Sequence, residues 1–404
     1  MPQRVDPHRH PPKGLILLIN GGSSSLKAAI ATFSQPPRII HRQTIELSSA
    51  DVTHLQRTTK YGIPHLPRRE KKRLQTGIIR LLHDVGSEKQ SIRAVGHRIV
   101  LAGPKLDRHQ MITARVRRQL GDMVEFDTQH LPMELTLVDV CADLFPEAPQ
   151  IACFDSVFHQ PMPMASRVLP IPWPYFLHGV RRYGFHGLSY ASLLRQLREW
   201  DAKAARGRVI MAHLGSGCSV AAVRGGKSVA TTMGFTPLAG VTMGHRTGDI
   251  DPGVILFLMK SEKLSVDEME AWMNVHCGLA GIAGSGDMKT LLARRDPRAK
   301  LAVELFCRRI AAQIAAYTVE IGGLDALVFS GGIGEHASVI RRDIVGRLRH
   351  FGLQLDAGAN RRNELRISRR GIKPTAWCLH TDEEQEMGRI TVDLLNARSL
   401  KWQS

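Results

Sequence analysis

The chain reads LILLINGGSSSLKAAI over residues 15–30, and this stretch decides the fold. Its first apolar run, Leu15–Ile19, meets a turn of small residues, and a second apolar run, Leu26–Ile30, follows. The pattern predicts strand, turn and strand. A related pattern, VIMAHLGSGCSVAAV, returns at residues 209–223. Two copies of this pattern predict two domains whose cores have the same arrangement of strands. Each domain would present a turn of small residues toward a common cleft.

A later segment indicates the fold class of these domains. Apolar side chains recur every three or four residues over 301–321, which predicts a helix that ends at Gly322-Gly323. A strand over 324–329, a glycine loop over 330–334 and a second amphipathic helix over 339–351 follow. This order of elements predicts an α/β architecture with a loop that faces phosphate.

Length and composition narrow the class of protein. The 404 residues suit two domains, and 43% hydrophobic with 23% charged residues is typical of globular proteins, which excludes disorder, collagen and coiled coil. The six cysteines lie far apart without a CxxC pair, which favours a reducing cytoplasm. The apolar runs are too short to span a bilayer, so we expect no membrane anchor.

The chain is strongly basic, with 55 lysines and arginines against 37 acidic residues and a formal net charge of +18. Such a charge favours anionic partners, including nucleotides, acyl phosphates, nucleic acid and acidic membrane surfaces. The basic residues are scattered, however, and few aromatic residues lie among them to stack on bases. We therefore predict a solvated positive surface, with a non-catalytic nucleic-acid-binding protein as the alternative.

Two glycine-rich stretches are candidate phosphate-binding segments. NGGSSSLK, residues 20–27, combines glycines that let amides approach oxyanions with serine hydroxyls and the positive Lys27. SGGIGEH, residues 330–336, ends a buried strand and opens a helix, so its amides can point at a nucleotide phosphate. Taken alone, the first stretch is equally typical of a serine-rich hairpin turn.

Single charged side chains supply further candidates. Arg98 and Arg246 each follow a histidine, and an arginine can grip a carboxylate or phosphate with two hydrogen bonds. Asp155 follows an apolar stretch, at a strand end where active-site carboxylates often lie. Glu383 and Glu384 can help to hold Mg²⁺, or can favour the start of a helix. Each of these motifs alone is also typical of a structural residue.

Taken together, the motifs resemble the acetate kinase family in order and spacing. They are NGGSSSLK, VGHRIV, FDSVFHQPMP, RRYGFHGLSY, HLGSGCSVAAV, TMGFTPLAGVTMGHRTGDIDP, GGLDALVFSGGIGEH and TDEE, and they cover about residues 15–395. The resemblance implies a two-domain actin-like ATPase fold, a duplicated ribonuclease H-like α/β fold with an active-site cleft between the domains. It places a flexible extension at 1–13, an actin-like domain at 14–157 plus 387–404, and a nucleotide-binding and dimerisation domain at 158–386.

The resemblance also assigns roles to individual residues. Its catalytic residues are Asp155, His186, Arg246 and His130. Its carboxylate-binding residues are Arg98, Val100, Gln129, Phe185 and Pro237. Its ATP-binding residues are Lys27, His213, Leu214, Gly215, Ser216, Gly217, Asp287, Met288, Lys289, Gly332, Ile333, Gly334, Glu335 and His336. Asn20 and Glu383 match the metal-binding residues, which implies Mg²⁺, with Mn²⁺ as a substitute.

The implied reaction is a reversible transfer of phosphate from ATP to acetate, giving acetyl phosphate and ADP in a homodimer. Phosphoryl transfer needs in-line oxygens and positive charge around the equatorial oxygens, rather than covalent help. Arg98 would orient the carboxylate, and Arg246 and His186 would offset the developing charge. A carboxylate is already a nucleophile at pH 7, so we expect Asp155 to organise Mg²⁺ and water rather than to remove a proton.

The carboxylate side departs from the family's pattern at three positions. After Arg98 the family reads VVHGG and this chain reads IVLAG, which puts Leu101 at a histidine position. Around His130, APLHNP becomes DTQHLP, so Gln129 replaces a leucine of the acyl pocket and Leu131 replaces an asparagine. A buried glutamine without a partner costs about 1–3 kcal/mol. Gln129 should therefore bond to protein, water or a polar substrate group, and propionate, butyrate or a hydroxy acid stays an alternative substrate.

The nucleotide side departs at three further positions. Ser216 and His336 stand where the family has asparagine in HLGNG and GIGEN, and Tyr190 replaces a histidine after FHG. The changes at Ser216 and His336 leave open a nucleotide-binding regulator that has lost turnover. The intact set of catalytic and metal-binding residues argues against that alternative.

Overall fold

The computed structural model describes residues 14–21, 25–46 and 68–401. The predicted extension at 1–13, the turn residues 22–24, the polar stretch 47–67 and residues 402–404 lie outside the described residues.

Eleven strands form within the described ranges. They are β1 (Leu15–Gly21), β2 (Ser25–Thr32), β3 (Ile39–Glu46), β4 (Ile92–Ile99), β5 (Gln110–Met111), β6 (Gln150–Phe154), β7 (Arg208–Leu214), β8 (Cys218–Arg224), β9 (Lys227–Thr231), β10 (Ala326–Ser330) and β11 (Thr375–Cys378).

Sixteen α-helices and four 3-10 turns form in the same ranges. The helices are α1 (Arg68–Asp84), α2 (Ala114–Gly121), α3 (Leu131–Leu144), α4 (Met164–Arg167), α5 (Trp173–Leu177), α6 (Gly187–Trp200), α7 (Ala202–Ala205), α8 (Pro252–Ser261), α9 (Val266–Val275), α10 (Gly278–Ala283), α11 (Met288–Ala293), α12 (Pro297–Glu320), α13 (Gly331–His336), α14 (Ser338–Arg347), α15 (Ala357–Arg361) and α16 (Glu383–Lys401). The 3-10 turns are Lys89–Ser91, Val124–Phe126, Val157–His159 and Arg349–Phe351.

The chain divides into two compact units, of which the first runs to residue 157 and resumes at residue 382. Its sheet has the strand order β3-β2-β1-β4-β6-β5, with β1 antiparallel to β2 and parallel to β4. Every residue of β1 is buried because α1 and α3 pack on one face and α16 packs on the other. This explains why Leu15–Ile19 is apolar without alternation.

Helix α16 approaches the sheet of the first unit closely at Gly96 of β4. A Cβ atom at Gly96 would lie 2.7 Å from Thr391 Oγ1 and 3.0 Å from Leu18 Cδ2. A side chain at this position would therefore push the helix away from the sheet. The absence of a side chain keeps the start of α16, with its glutamates, against the strands that carry the candidate site.

The second unit covers residues 158–381 and has its own five-stranded sheet, ordered β11-β10-β7-β8-β9. Strands β7 and β8 form an antiparallel pair, and β10 lies parallel to both β7 and β11. Side chains of α6 pack on β7, β8 and β10 in a buried apolar cluster, and α12 lies against β8. The carboxyl ends of β7 and β10 meet, since His213 is the register partner of Ser330.

Both strand–turn–strand predictions match the observed pairs β1–β2 and β7–β8. The predicted helix at 301–321 begins earlier, at Pro297, because Asp296 caps it by accepting a hydrogen bond from the Ala299 amide. The predicted glycine loop at 330–334 is wrong, because these residues open the short helix α13. The first unit resumes at Asp382 rather than at residue 387, so Glu383 belongs to the first unit.

Candidate active site

In the first unit, Arg98 joins the ends of three neighbouring strands. Its Nε and Nη2 donate to Asp155 Oδ2 at 3.0 and 2.5 Å, and its Nη1 donates to Asn20 Oδ1 at 3.1 Å. Asn20 lies near the end of β1, Arg98 near the end of β4, and Asp155 directly after β6. Because β1, β4 and β6 are parallel neighbours, their carboxyl ends bring these side chains together.

The electrostatics of this cluster keep Arg98 charged. Burial works against a charged guanidinium, but the carboxylates of Asp155 and Glu383 outweigh it and raise the pKa of Arg98. Asp155 is fully buried, and the positive charge of Arg98 offsets its negative charge. Three of the five N–H donors of Arg98 serve Asp155 and Asn20, and the remaining donors can bind a carboxylate.

The glutamates at the start of α16 complete the first residue set. The Asn20 amide donates to Glu383 Oε2 at 3.2 Å and to Glu384 Oε1 at 3.4 Å. No group of three or more His, Cys, Asp or Glu side chains in the described residues could hold a metal ion unaided. Mg²⁺ usually takes one or two carboxylates and completes its shell with water and phosphate oxygens. The oxygen donors of Asn20, Asp155 and Glu383 fit that requirement.

The expected acyl-binding residues Val100 and Gln129 belong to the first unit. The Val100 amide donates to both carboxylate oxygens of Glu134, at 3.2 and 3.1 Å. Burial and the neighbouring Asp127 raise the pKa of Glu134 well above its ordinary value, although Arg98 opposes them. Gln129 is half-buried, and its backbone amide donates to Asp127. The wall beside Val100 therefore contains polar as well as apolar groups.

His130 lies at the start of α3 and is paired with Asp127. Its ring Nδ1 lies 2.9 Å from Asp127 Oδ1, and its backbone amide donates to the same oxygen at 3.1 Å. Burial acts to raise the pKa of Asp127, but the bonds and charge of His130 lower it below its ordinary value. The bonds to Asp127 fix the orientation of the His130 ring and engage its Nδ1 atom rather than its Nε2 atom.

In the second unit, a glycine turn after β7 is lined by candidate catalytic groups. Gly215 donates its amide to the Gly217 carbonyl at 3.1 Å. A Cβ atom at Gly217 would lie 3.5 Å from His186 Nε2 and 3.7 Å from Arg246 Nη1, so both groups border the turn. Arg246 also donates to the Pro237 carbonyl at 3.2 Å. Backbone amides, a guanidinium and an imidazole at one turn form a suitable phosphate site.

The loop that carries Arg246 is held by the first amides of α10. Leu279 and Ala280 donate to the carbonyls of Met243 and Gly244 at 3.0 and 2.9 Å. Gly278 has φ +63°, and a Cβ atom there would lie 2.3 Å from the Met243 carbonyl oxygen. Only glycine fits this position, so the close packing of α10 fixes the backbone from which Arg246 projects.

Two histidine rings lie together beside the turn. The rings of His186 and His213 have centroids 4.2 Å apart and planes inclined by 31°. His186 Nδ1 lies 2.8 Å from Ser219 Oγ, and His213 Nδ1 lies 2.8 Å from Ser189 Oγ. His186 also has φ +59°, a left-handed conformation that is strained for a residue with a Cβ atom. His186 lies at the start of α6, and this backbone conformation directs its ring toward the glycine turn after β7.

Helix α13, which contains the predicted ATP stretch Gly332–His336, is held by Glu335. The Glu335 carboxylate accepts from the amides of Gly331 and Thr381 at 2.9 and 3.2 Å, and its other oxygen lies 2.6 Å from His380 Nδ1. Burial acts to raise the pKa of Glu335, but these bonds lower it below its ordinary value. The carboxylate therefore keeps α13 at the end of β10.

The buried Arg341 on α14 fixes the opposite end of α13. It donates to the carbonyls of Gly334 and Glu335 at 2.7 and 2.9 Å, and its remaining donors reach Asn360 and Asn363. Because all its partners are neutral oxygens, the side chain acts as a clamp between helices rather than as an ion pair.

The remaining ATP-binding candidates lie nearer the surface. Asp287 caps α11 by accepting from the amides of Lys289 and Thr290, and it is exposed. Gly244 connects the segment before Asp287 to the glycine turn. Its amide donates to the Ser216 carbonyl, and a Cβ atom at Gly244 would lie 3.0 Å from the Gly286 carbonyl oxygen. Lys27 is exposed and pairs in register with Asn20 of the first unit.

The structure thus gathers the candidates into one set in each unit. Asn20, Arg98, Asp155 and Glu383 are joined in the first. His186, His213, Gly217, Arg246 and Pro237 are joined in the second, where Phe185 lies buried before His186. Sequence reasoning missed the supporting residues Asp127, Glu134, Ser189, Ser219 and Arg341. Only Glu134 carried a signal in the sequence, because it is an acid within the apolar helix LPMELTLVDV.

The α/β architecture and these two residue sets define a class of protein, a nucleotide-dependent phosphotransferase. Residues 15–389 match the acetokinase family. An acetate kinase from Rhodopseudomonas palustris is 37% identical over 391 residues, which cover 93% of this chain and 97% of that relative. An acetate kinase from Clostridium botulinum is 35% identical over 394 residues, which cover 94% and 99%. The chain therefore belongs to the acetokinase family and is a carboxylate phosphotransferase, as its motifs predict.

Solved structures agree with this assignment. The acetate kinase of Porphyromonas gingivalis has a TM-score of 0.82 and 28% identity, with coverage of 95% of this chain and 100% of that one. A propionate kinase from Francisella tularensis has a TM-score of 0.80 and 31% identity, with coverage of 93% and 98%. The predicted actin-like ATPase fold is confirmed.

No helix in the described ranges is long and apolar enough to cross a membrane.

Proposed function

We propose that this chain catalyses the reversible, Mg²⁺-dependent transfer of phosphate from ATP to acetate, giving acetyl phosphate and ADP. One observation carries the proposal: Arg98, locked in place by Asp155 and Asn20, retains free N–H donors for a carboxylate. The acetate kinases among its relatives support acetate as the acceptor.

Each residue set has a distinct task in this proposal. Arg98 binds and orients the carboxylate, which is ionised and nucleophilic at neutral pH. The amides of the Gly215–Gly217 turn bind phosphate, and Arg246 and His186 stabilise the charge on the transferring group. Asp155 holds Arg98 in position. When bound, Mg²⁺ neutralises charge on the phosphate oxygens, and Glu383, Asn20 and Asp155 are the residues that would hold it.

The experiment that tests the proposal traps acyl phosphate as its hydroxamate. Wild type with ATP, Mg²⁺ and acetate should form hydroxamate, whereas R246A should lose roughly 10³–10⁵-fold in kcat. R224A, at an exposed position at the end of β8, is the matched control and should retain full activity. A wild-type protein that binds ATP but forms no acyl phosphate from any short carboxylate would instead identify the nucleotide-binding regulator.

A second candidate function is a kinase that prefers a larger or hydroxylated short carboxylate. Two observations favour it: the half-buried Gln129 and the Glu134 carboxyl bound to the Val100 amide place polar groups near the acyl wall. The solved propionate kinase shares 31% identity with this chain. The kcat/KM values for acetate, propionate, butyrate and lactate separate the candidates. In Q129L, lactate should lose roughly tenfold relative to propionate, since a lost polar contact costs about 1–3 kcal/mol.

We also propose a homodimer that works in a reducing cytoplasm. Helix α8, PGVILFLMKS, is apolar, yet it buries none of its residues within the chain. Leu256 and Phe257 are 60% and 66% exposed, so a second copy would remove a large apolar area from water. The six cysteines are free and buried, which suits a compartment that keeps thiols reduced.

A further inference from the structure

A chain of two hydroxyl groups lies behind His186. Ser219 Oγ on β8 is 2.8 Å from His186 Nδ1, and Tyr190 Oη on α6 is 2.5 Å from the same Ser219 oxygen. Tyr190 and Ser219 are fully buried, so water does not compete for their hydrogen bonds. The direction of the protons along this chain is therefore fixed by the protein alone.

The Tyr190 phenol is the donor at the start of the chain. Burial raises its pKa, so the phenol keeps its proton at neutral pH. A buried hydroxyl proton without an acceptor is strongly disfavoured, so the phenol must donate to a neighbouring oxygen. Within the described residues, Ser219 Oγ is the acceptor left for the phenol proton. Tyr190 thus donates to Ser219.

Ser219 must then donate its own proton to His186. A serine hydroxyl has one proton, and the other group within reach of this buried hydroxyl is His186 Nδ1. If Nδ1 carried a proton instead, Ser219 would face two donors and its own proton would lack an acceptor. Buried donors without acceptors are strongly disfavoured. His186 Nδ1 is therefore an acceptor, and the neutral ring carries its proton on Nε2.

The Nε2 atom is the ring nitrogen that borders the phosphate site. A Cβ atom at Gly217 would lie 3.5 Å from it, with Arg246 Nη1 at 3.7 Å on the same side. We propose that Tyr190 is a positioning residue: through Ser219 it holds His186 in the neutral Nε2–H tautomer, so that Nε2 donates a hydrogen bond to the transferring phosphoryl group. The last step rests on the proposed phosphotransfer, whereas the tautomer does not.

The neighbouring His213 ring has the same tautomer by a parallel argument. Thr381 Oγ1 donates to Ser189 Oγ at 2.7 Å, so the Ser189 proton is directed to His213 Nδ1 at 2.8 Å. His213 is therefore also an Nε2–H donor, and this atom borders Gly215 of the same turn. The two ring centroids lie 4.2 Å apart, so both Nε2–H groups border the same turn.

Ring ¹⁵N spectroscopy of the ligand-free protein tests the tautomer directly. With ¹⁵N-labelled histidine, the His186 signals are those absent from H186Q, and we expect a bare Nδ1 and a protonated Nε2. In Y190F, Ser219 is released to accept from Nδ1–H, so we expect the Nδ1–H form to appear. Y183F is the matched control, because it also removes a buried phenol hydroxyl of this unit and should leave the His186 signals unchanged.

A double-mutant cycle then connects the tautomer to turnover. Y190F should lower kcat roughly 10–100-fold with little change in the KM for ATP, because a donor to the developing charge is lost part of the time. In H186Q the side-chain amide can donate a hydrogen bond with or without the Tyr190 hydroxyl. Adding Y190F to H186Q should therefore cause no further loss of kcat. A merely structural role for Tyr190 would lower kcat equally in both backgrounds.

Three results would overturn the proposal: a wild-type His186 protonated on Nδ1, an unchanged ¹⁵N pattern in Y190F, or equal losses in both backgrounds. Thermal unfolding reports whether Y190F is folded, and if it is not, S219A removes the same relay with a smaller change in volume. Because the ¹⁵N measurement needs no substrate, failure of the proposed function and failure of the tautomer assignment give different results.

Discussion

Arg98 and Asp155 form a pair in which each residue depends on the other. Asp155 is fully buried, and its Oδ2 accepts two of the three side-chain hydrogen bonds that Arg98 makes. In the proposed function the pair therefore serves stability and substrate binding at once. These two contributions can be separated experimentally. Stability requires only that neither charge of the pair is buried without the other, whereas substrate binding requires the Arg98 guanidinium itself.

R98A should abolish turnover and should also lower the free energy of unfolding by about 3–5 kcal/mol, since it removes a cation that donates two hydrogen bonds to the buried Asp155 carboxylate. R98A/D155N should recover much of that stability and none of the activity. Urea unfolding and the hydroxamate assay measure the two quantities. Equal stability of R98A and R98A/D155N would contradict the role given to this ion pair.

His159 is a buried histidine that makes stability depend on pH. Its Nε2 lies 3.0 Å from the Phe185 carbonyl, and its Nδ1 lies 2.8 Å from Ser228 Oγ. Burial lowers its pKa from 6.5 to about 4. As pH falls from 6.5 to 4, the unfolded chain takes up a proton that the folded chain refuses, so the stability present above pH 6.5 is lost.

The expected loss at His159 is roughly 3 kcal/mol across this pH window. H159Q keeps a donor for the Phe185 carbonyl but cannot titrate, so its unfolding free energy should fall less steeply between pH 6.5 and 4 than that of wild type. H178Q, a change at an exposed histidine, is the control. Identical slopes for wild type and H159Q, from urea titrations at several pH values, would refute the assignment.

At the scale of elements, the short helix α13 depends on one glycine at its start. Gly331 has φ +75°, and a Cβ atom there would lie 2.7 Å from the Leu214 carbonyl oxygen. The close contact brings the start of α13 against the end of β7, where the glycine turn begins. For this reason the ATP-binding candidates at 213–217 and 332–336 are neighbours in the fold although they are far apart in sequence.

G331A should lower stability by about 1–2 kcal/mol through the left-handed backbone alone, and should raise the KM for ATP by moving α13 away from β7. G346A is the matched control: Gly346 lies within α14, and a Cβ atom there would meet nothing within 4 Å. Replacing a helical glycine by alanine should leave activity unchanged and add about 0.5–1 kcal/mol. Unfolding curves and KM values decide the matter, and equal behaviour of the two variants would exclude the proposed contact.

The elements show where sequence reasoning succeeds and where it stops. The apolar runs of β1, β2, β7 and β8 predict the strands because burial on both faces forces continuous apolar sequence. The segment 330–334 is predicted to be a loop, since its three glycines favour turns, yet Glu335 and Arg341 hold it in a helix. His380 and Thr381, which lie 45 and 46 residues further along the chain, bond to Glu335 and hold it in place, and local propensity does not contain such contacts.

At the scale of the whole molecule, the two sheets share one strand order. In the first, β3-β2-β1 continues into the parallel strands β4 and β6, and in the second, β9-β8-β7 continues into β10 and β11. The repeated motif at 15–30 and 209–223 predicted this shared plan. The resemblance to a known family supplied the residue roles, whereas the hydroxyl relay behind His186 and the Asp127–His130 pair required three-dimensional contacts.

The exposed apolar helix α8 leads to a prediction about assembly. L256E/F257E places two charges on the face that we propose for dimerisation, where burial of like charges in both copies is unfavourable. Light scattering should give twice the chain mass for wild type and the chain mass for the variant. I171E, at a position 43% exposed outside α8, tests whether the dimer surface extends toward α5. A wild-type mass of one chain would disprove the dimer.

The return of the last helix to the first sheet has a consequence for biosynthesis. Strand β1 is made before the second unit, but α16, which covers one of its faces and brings Glu383 to Asn20, is made after it. A ribosome must therefore translate the whole second unit before the first unit can finish folding. Until then that unit has an uncovered apolar face, so a premature stop codon shortly before residue 383 should yield a product that chaperones retain and proteases remove.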